Sequence, residues 1–104
     1  MIVCDTSVLV AAFARWHDSH DVAATAVRRA DALIDHVAVE TFSVLTRLPA
    51  PRRAPAGLVT AFLQHHFPAG GPRLPGPGSG EVLSLDRGAS ATYQAADVRF
   101  ELLS

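Results

Sequence analysis

The chain opens Met1-Ile2-Val3-Cys4-Asp5-Thr6-Ser7-Val8-Leu9-Val10, and the fold is decided in this stretch. Ile2-Val3-Cys4 is a short apolar run that meets capping residues at once, which reads as a buried strand turning into a helix with Thr6 or Ser7 at the N-cap. Val8, Leu9, Ala12 and Phe13 then share one helical face. Working outward, Val22, Ala23, Ala26, Val27 and Ala30 repeat at helical spacing while Arg28 and Arg29 point elsewhere, so a second helix is predicted from Ser19 to about Ala30. A short strand is predicted over Ala32 to Ile34. Val37, Thr41, Val44, Leu45 and Leu48 mark a third helical stripe, stopped by Pro49 and Pro51. Pro55 suits the first turn of a fourth helix with Leu58, Val59, Phe62 and Leu63 on one face.

The pattern breaks at Pro68, because nine of the thirteen residues from Pro68 to Gly80 are proline or glycine. No hydrophobic period survives such a composition, and an irregular, poorly packed segment is predicted there. A proline-rich tract of this kind could serve as a polyproline ligand, but a plain linker is its ordinary role. Order resumes with a strand over Glu81-Val82-Leu83-Ser84-Leu85, a short helix around Ala89 to Ala95, and a last strand near Val98 to Leu102. Strands separated by helices imply a parallel sheet covered on both faces, hence an α/β fold. The expectation is one domain over residues 1–104, incomplete between residues 68 and 80.

Composition narrows the function. With 104 residues, 49% of them hydrophobic, the chain can build one core and not two. Its nine basic and ten acidic residues nearly cancel, so nucleic acid would have to be met by a local patch rather than by an overall positive field. The single cysteine, Cys4, has no intramolecular disulfide partner and fits a reducing, cytoplasmic setting. Neither a signal peptide nor a membrane segment is predicted.

Asp5 and Asp86 each follow a predicted parallel strand, and open α/β sheets place their ligand crevices at the carboxyl ends of such strands. Glu40, expected in the first turn of the third helix, can lean over the same crevice. Three clustered carboxylates repel one another unless a divalent cation neutralises them, and hard oxygen donors suit Mg²⁺ or Mn²⁺. Phosphodiester hydrolysis is chemistry such a site serves. Each residue also has a plain alternative: Asp5 as a helix cap, Asp86 as a turn residue, Glu40 as a partner of the helix dipole.

Three blocks in order give the chain a resemblance to a known family. Residues Met1 to Val10 are similar to the opening block of PIN-domain ribonucleases of the VapC toxin type. Ala38-Val39-Glu40-Thr41-Phe42-Ser43-Val44-Leu45-Thr46-Arg47-Leu48 resembles their second block. Val82-Leu83-Ser84-Leu85-Asp86-Arg87, with Ala91-Thr92-Tyr93 and Val98 to Leu103, resembles the closing block. The resemblance implies a PIN-like fold, an Mg²⁺-dependent (or Mn²⁺-dependent) ribonuclease toxin of a toxin–antitoxin pair, a VapB-type antitoxin partner and possible homodimers. It also implies that Asp5, Glu40 and Asp86 are catalytic metal ligands, and that Ser84 stands where a threonine is usual. One departure is conspicuous. The family carries a fourth acidic residue on a helix between the second and closing blocks, and here the Pro/Gly tract stands in that place. Impaired activity is therefore expected, with a catalytically inactive remnant that retains only antitoxin binding, or no function, as the alternative.

Other residues invite weaker readings. Arg47, Arg52 and Arg53 are candidates for RNA phosphate contacts near the crevice, although arginines beside proline-rich loops are ordinarily just solvated. His65-His66 do not share a helical face as a metal-binding i, i+4 pair would, so a helix end is their expected place. Trp16-His17 is expected to pack or cap between the first two helices.

Overall fold

In a computed structural model, which describes residues 1–69, 71–76, 78, 80–96 and 98–103, strand β1 (Ile2–Cys4) runs directly into helix α1 (Thr6–Phe13). The cap between them is Asp5 rather than Thr6 or Ser7. Asp5 has extended backbone angles and its Oδ1 accepts the Val8 N–H at 3.3 Å, whereas Thr6 is already helical. Helix α2 (His20–Arg29) carries Asp21 in its first turn and Arg28 and Arg29 in its last, the signs the helix dipole favours at each end.

Strand β2 (Leu33–Ile34) passes without a loop into helix α3 (Asp35–Thr46), which starts two residues before the expected Val37. Ile34, still extended, takes the N-cap position, and Asp35 places a negative charge at the helix start. Glu40 consequently lies in the second turn, not the first. Val37, Thr41 and Leu45 form the buried stripe, while Val44, expected to join it, is exposed. Helix α4 (Ala56–His66) begins after Pro55 and buries Val59. Its Leu58 faces solvent against expectation.

Strand β3 (Arg73–Leu74) corrects the reading of the Pro/Gly tract as wholly irregular. Its two residues pair in parallel with Leu33 and Ile34, a ladder made available because Arg73-Leu74 is the one stretch of the tract with two consecutive residues that are neither glycine, proline nor alanine. Gly78 has φ of 56°, a left-handed conformation that glycine adopts without steric penalty. The expectation of irregular chain at Gly70, Pro77 and Ser79 lies outside the described residues.

Strand β4 (Glu81–Ser84), a 3₁₀ turn (Arg87–Ala89), helix α5 (Ser90–Ala95) and strand β5 (Arg99–Leu102) complete the chain. The main sheet has the order β1-β4-β5, all parallel, with Val3 opposite Val82 and Val82 opposite Phe100. Successive strand residues point to opposite faces, and the adjacent Val82 and Leu83 are both buried, so both faces of the central strand are covered. On the other side of β1, Asp31 joins the sheets: its N–H donates to the Ile2 carbonyl at 2.7 Å, and its carboxylate accepts the Ile2 N–H at 2.8 Å. The fold is α/β, as the sequence predicts.

The course of the chain positions the site. From β1 the chain moves to β2 on one side, and from β4 to β5 on the other. The direction therefore reverses between β1 and β4, the topological switch point at which α/β sheets open a crevice.

Candidate active site

Asp5 leaves the carboxyl end of β1, and Asp86 follows the end of β4 by two residues. Both line one cleft of about 240 Å³ together with Thr6, Ser7, His36, Val37, Glu40, Ala89 and Tyr93. The three carboxylates singled out from the sequence thus share a cleft. Helix α3 brings Glu40 over it from its second turn, because its apolar stripe packs inward and turns the Glu40 position to the rim.

Small hydroxyls fix the acids. Ser7 Oγ donates to Asp5 Oδ1 at 2.5 Å and accepts the Leu85 N–H at 3.0 Å, tying the end of β1 to the chain leaving β4. Thr6 Oγ1 donates to Glu40 Oε1, and His36 Nε2 stands 3.6 Å from the other Glu40 oxygen, one helical turn away on α3. The buried Ser84 Oγ accepts the Asp86 N–H at 3.0 Å. Asp86 Oδ1 accepts the Gly88 N–H at 2.9 Å; a side chain at position 88 would bring its Cβ to 3.2 Å from that oxygen.

Tyr93, on α5, completes the wall. Its hydroxyl donates to Asp5 Oδ2 at 2.9 Å. Burial is the largest cause that pushes the phenol well above its ordinary range, followed by the negative charge of Asp5, the hydrogen bond to it, and the charges of Asp86 and Glu40. A phenol that senses all three carboxylates marks their convergence, and it remains a hydrogen-bond donor throughout the physiological range. Among the site residues, Tyr93, Thr6, Ser7 and His36 escaped identification from sequence. Their signal was spacing: Thr6 and Ser7 follow Asp5 directly, His36 lies one turn before Glu40, and Tyr93 lies two helical turns after Asp86.

The donor set is oxygen-rich and partly open to solvent, which suits Mg²⁺ or Mn²⁺. Among the described residues, however, no three His, Cys, Asp or Glu side chains are gathered closely enough to hold an ion by themselves. The fit is to an ion that keeps most of its waters and is gripped by one or two carboxylates, as Mg²⁺ commonly is.

The arginines lie elsewhere. Arg47, Arg52 and Arg53 do not line the cleft but sit in the loop after α3. The Arg53 Nε donates to the Leu48 carbonyl at 2.9 Å, and the Arg52 guanidinium lies over the Trp16 ring at 4.3 Å from its centre. His65 and His66 end α4, as expected, with their rings edge to face. Burial, then His65 and Arg28, lower the His66 pKa.

The chain is 57% identical over 63 residues to Ribonuclease VapC40 from each of two strains of Mycobacterium tuberculosis. Over that stretch the chain is similar to a VapC-type ribonuclease. The match takes in 61% of this chain and 47% of the relatives, so the chain spans about half the length of the curated proteins it matches. No protein-family model matches it, and no solved structure does. Among the described residues no helix is long and apolar enough to cross a membrane.

Proposed function

We propose that the chain is a VapC-like, metal-dependent ribonuclease toxin whose activity is impaired by the Pro/Gly tract at residues 68–80. The observation that carries this reading is the shared cleft of Asp5, Glu40 and Asp86 at the switch point of the sheet; the sequence identity to a named ribonuclease supplies RNA as the substrate class. Asp5 and Asp86 would hold Mg²⁺ or Mn²⁺, with Glu40 at its rim. When bound, such an ion polarises a phosphoryl oxygen and lowers the pKa of water beside it. The chain's own residues orient the acids: Tyr93 and Ser7 hold the two oxygens of Asp5, and Thr6 holds Glu40.

The proposed partner is a VapB-type antitoxin, in a reducing cytoplasm. A groove of about 620 Å³ between α1, α2 and α4, lined by Phe13, Leu58 and Phe62 together with Arg15 and Arg28, suits an amphipathic segment with acidic residues beside its apolar face. That groove favours the second reading, an inactive remnant that still binds its antitoxin, since it owes nothing to the tract. Homodimers belong to the same proposal, on the family resemblance.

The test is cleavage of a structured RNA with Mg²⁺, with Mn²⁺ and with chelator, by the natural chain and by Asp5→Asn and Asp86→Asn. Metal-dependent cleavage that falls at least about a hundredfold in both variants is expected, the scale on which lost electrostatic stabilisation is felt. Cleavage that survives chelation, or that neither substitution alters, overturns the proposal. No cleavage, joined to tight binding of the product of a neighbouring antitoxin gene, establishes the second reading instead.

A further inference from the structure

Trp16, the only tryptophan of the chain, stands between α1 and α2, where Trp16-His17 is expected to pack or cap. It sits in the connection between them, 44% exposed, while its neighbour His17 accepts the Ser19 N–H at 3.0 Å just ahead of α2. Over its ring lies Arg52, which comes from the loop between α3 and α4. Among the described residues Arg52 has no carboxylate partner, so its charge is answered only by the indole. The arginine's loop is tied down on both sides: the Arg52 N–H donates to the Pro49 carbonyl at 3.0 Å, the Ala54 N–H to the Leu45 carbonyl at 2.9 Å, and the Arg53 side chain to Leu48. An aromatic ring and the guanidinium over it are thus held together by loops that are themselves anchored.

We propose that Trp16 and Arg52 form a stacking platform for an unpaired nucleobase of single-stranded RNA, a site separate from the acidic cleft. The proposal rests on the RNA reading of the previous section and adds a base-binding subsite to it. Unpaired bases are recognised by stacking on aromatic rings and on arginine planes, and an exposed tryptophan already paired with a guanidinium offers both surfaces. The cationic head also meets the backbone phosphate beside the stacked base. Exposed Arg15 precedes Trp16 on the same loop, which also carries the exposed Asp18. Helix α1 links the two sites, with Asp5 at its start and this loop beyond its end. Eight residues at a rise of 1.5 Å set the two at least about 12 Å apart along the helix, at its opposite ends.

The experiment uses the full chain in chelator, so that binding is read without cleavage. Trp16 fluorescence is titrated with a short oligoadenylate, with the same oligomer carrying abasic positions, and with polyphosphate. The base-bearing strand is expected to quench the emission strongly and the other two weakly. Anisotropy of a labelled oligoadenylate then compares variants: Trp16→Ala and Arg52→Ala should each weaken binding about tenfold, and Trp16→Phe should keep most of it. Circular dichroism of each variant confirms that the fold is retained, which the exposure of both side chains favours. Equal quenching by polyphosphate would reduce the site to charge alone and overturn the stacking. Undiminished binding by folded Trp16→Ala would do the same. The outcomes are separable from those of the ribonuclease test: a chain that quenches with bases but never cleaves keeps the platform and loses the enzyme, and a chain that cleaves without quenching does the reverse.

Discussion

Cys4 lies one residue before the cleft, yet its thiol faces the core and donates toward the Ala26 carbonyl at 3.9 Å. Burial, reinforced by the Asp5 charge and opposed by Arg29, pushes it up to about 12. The thiol of the unfolded chain ionises near about 8.5. Between those values the unfolded state binds fewer protons than the native state, so the contribution of Cys4 to stability is whole below about pH 8.5 and is lost as pH rises toward 12, by at most about 1.4 kcal/mol per unit. Urea unfolding from pH 8 upward should show this decline in the natural chain and a flatter profile in Cys4→Ala. Parallel profiles would place the thiol in contact with water. The same burial predicts that a thiol reagent reacts with the unfolded chain far faster than with the native one.

At the scale of the elements, the ladders differ in weight. The β1-β4-β5 sheet joins three strands with buried residues on both faces of its centre, whereas β3 contributes two residues, of which Arg73 is exposed. Amides of Arg73 and Leu74 should therefore exchange at least about tenfold faster than those of Val82 and Leu83, read by hydrogen exchange. Equal protection would show that the Pro/Gly tract folds with the core. Helices α1 to α4 were legible in the sequence because their apolar residues repeat at helical spacing, and β1 and β4 because apolar runs ended on Asp5 and Asp86. Less legible were features set by contacts distant in sequence. Helix α3 starts at Asp35 because β2 ends there against its neighbours, and Arg73-Leu74 becomes a strand only because Leu33 and Ile34 offer an edge. The site divides the same way: carboxylates at strand ends follow from topology, but the Tyr93 hydroxyl reaches Asp5 across 88 positions of sequence, which no local pattern foretells.

For the whole molecule, the question is what the tract at residues 68–80 costs the proposed enzyme. By resemblance the family places a helix with a fourth acidic residue between its second and closing blocks, and that segment walls one side of the cleft. A parallel crossover needs about a dozen residues or more, and only the six residues 75–80 separate β3 from β4. Metal binding is the more tolerant property, since Mg²⁺ is often held by one or two carboxylates. Catalysis is less so, because a small misplacement of reacting groups costs about a hundredfold. The natural chain should accordingly cleave RNA at least about a hundredfold more slowly than an intact VapC relative. A chain in which residues 68–80 are replaced by the corresponding segment of Ribonuclease VapC40 should recover much of the difference. Asp5→Ala in the repaired chain should abolish it again, which separates restored chemistry from a contaminating nuclease. If the natural chain already matches the intact relative and loses its activity in Asp5→Ala, three acids and the present cleft suffice, and the tract carries no catalytic penalty.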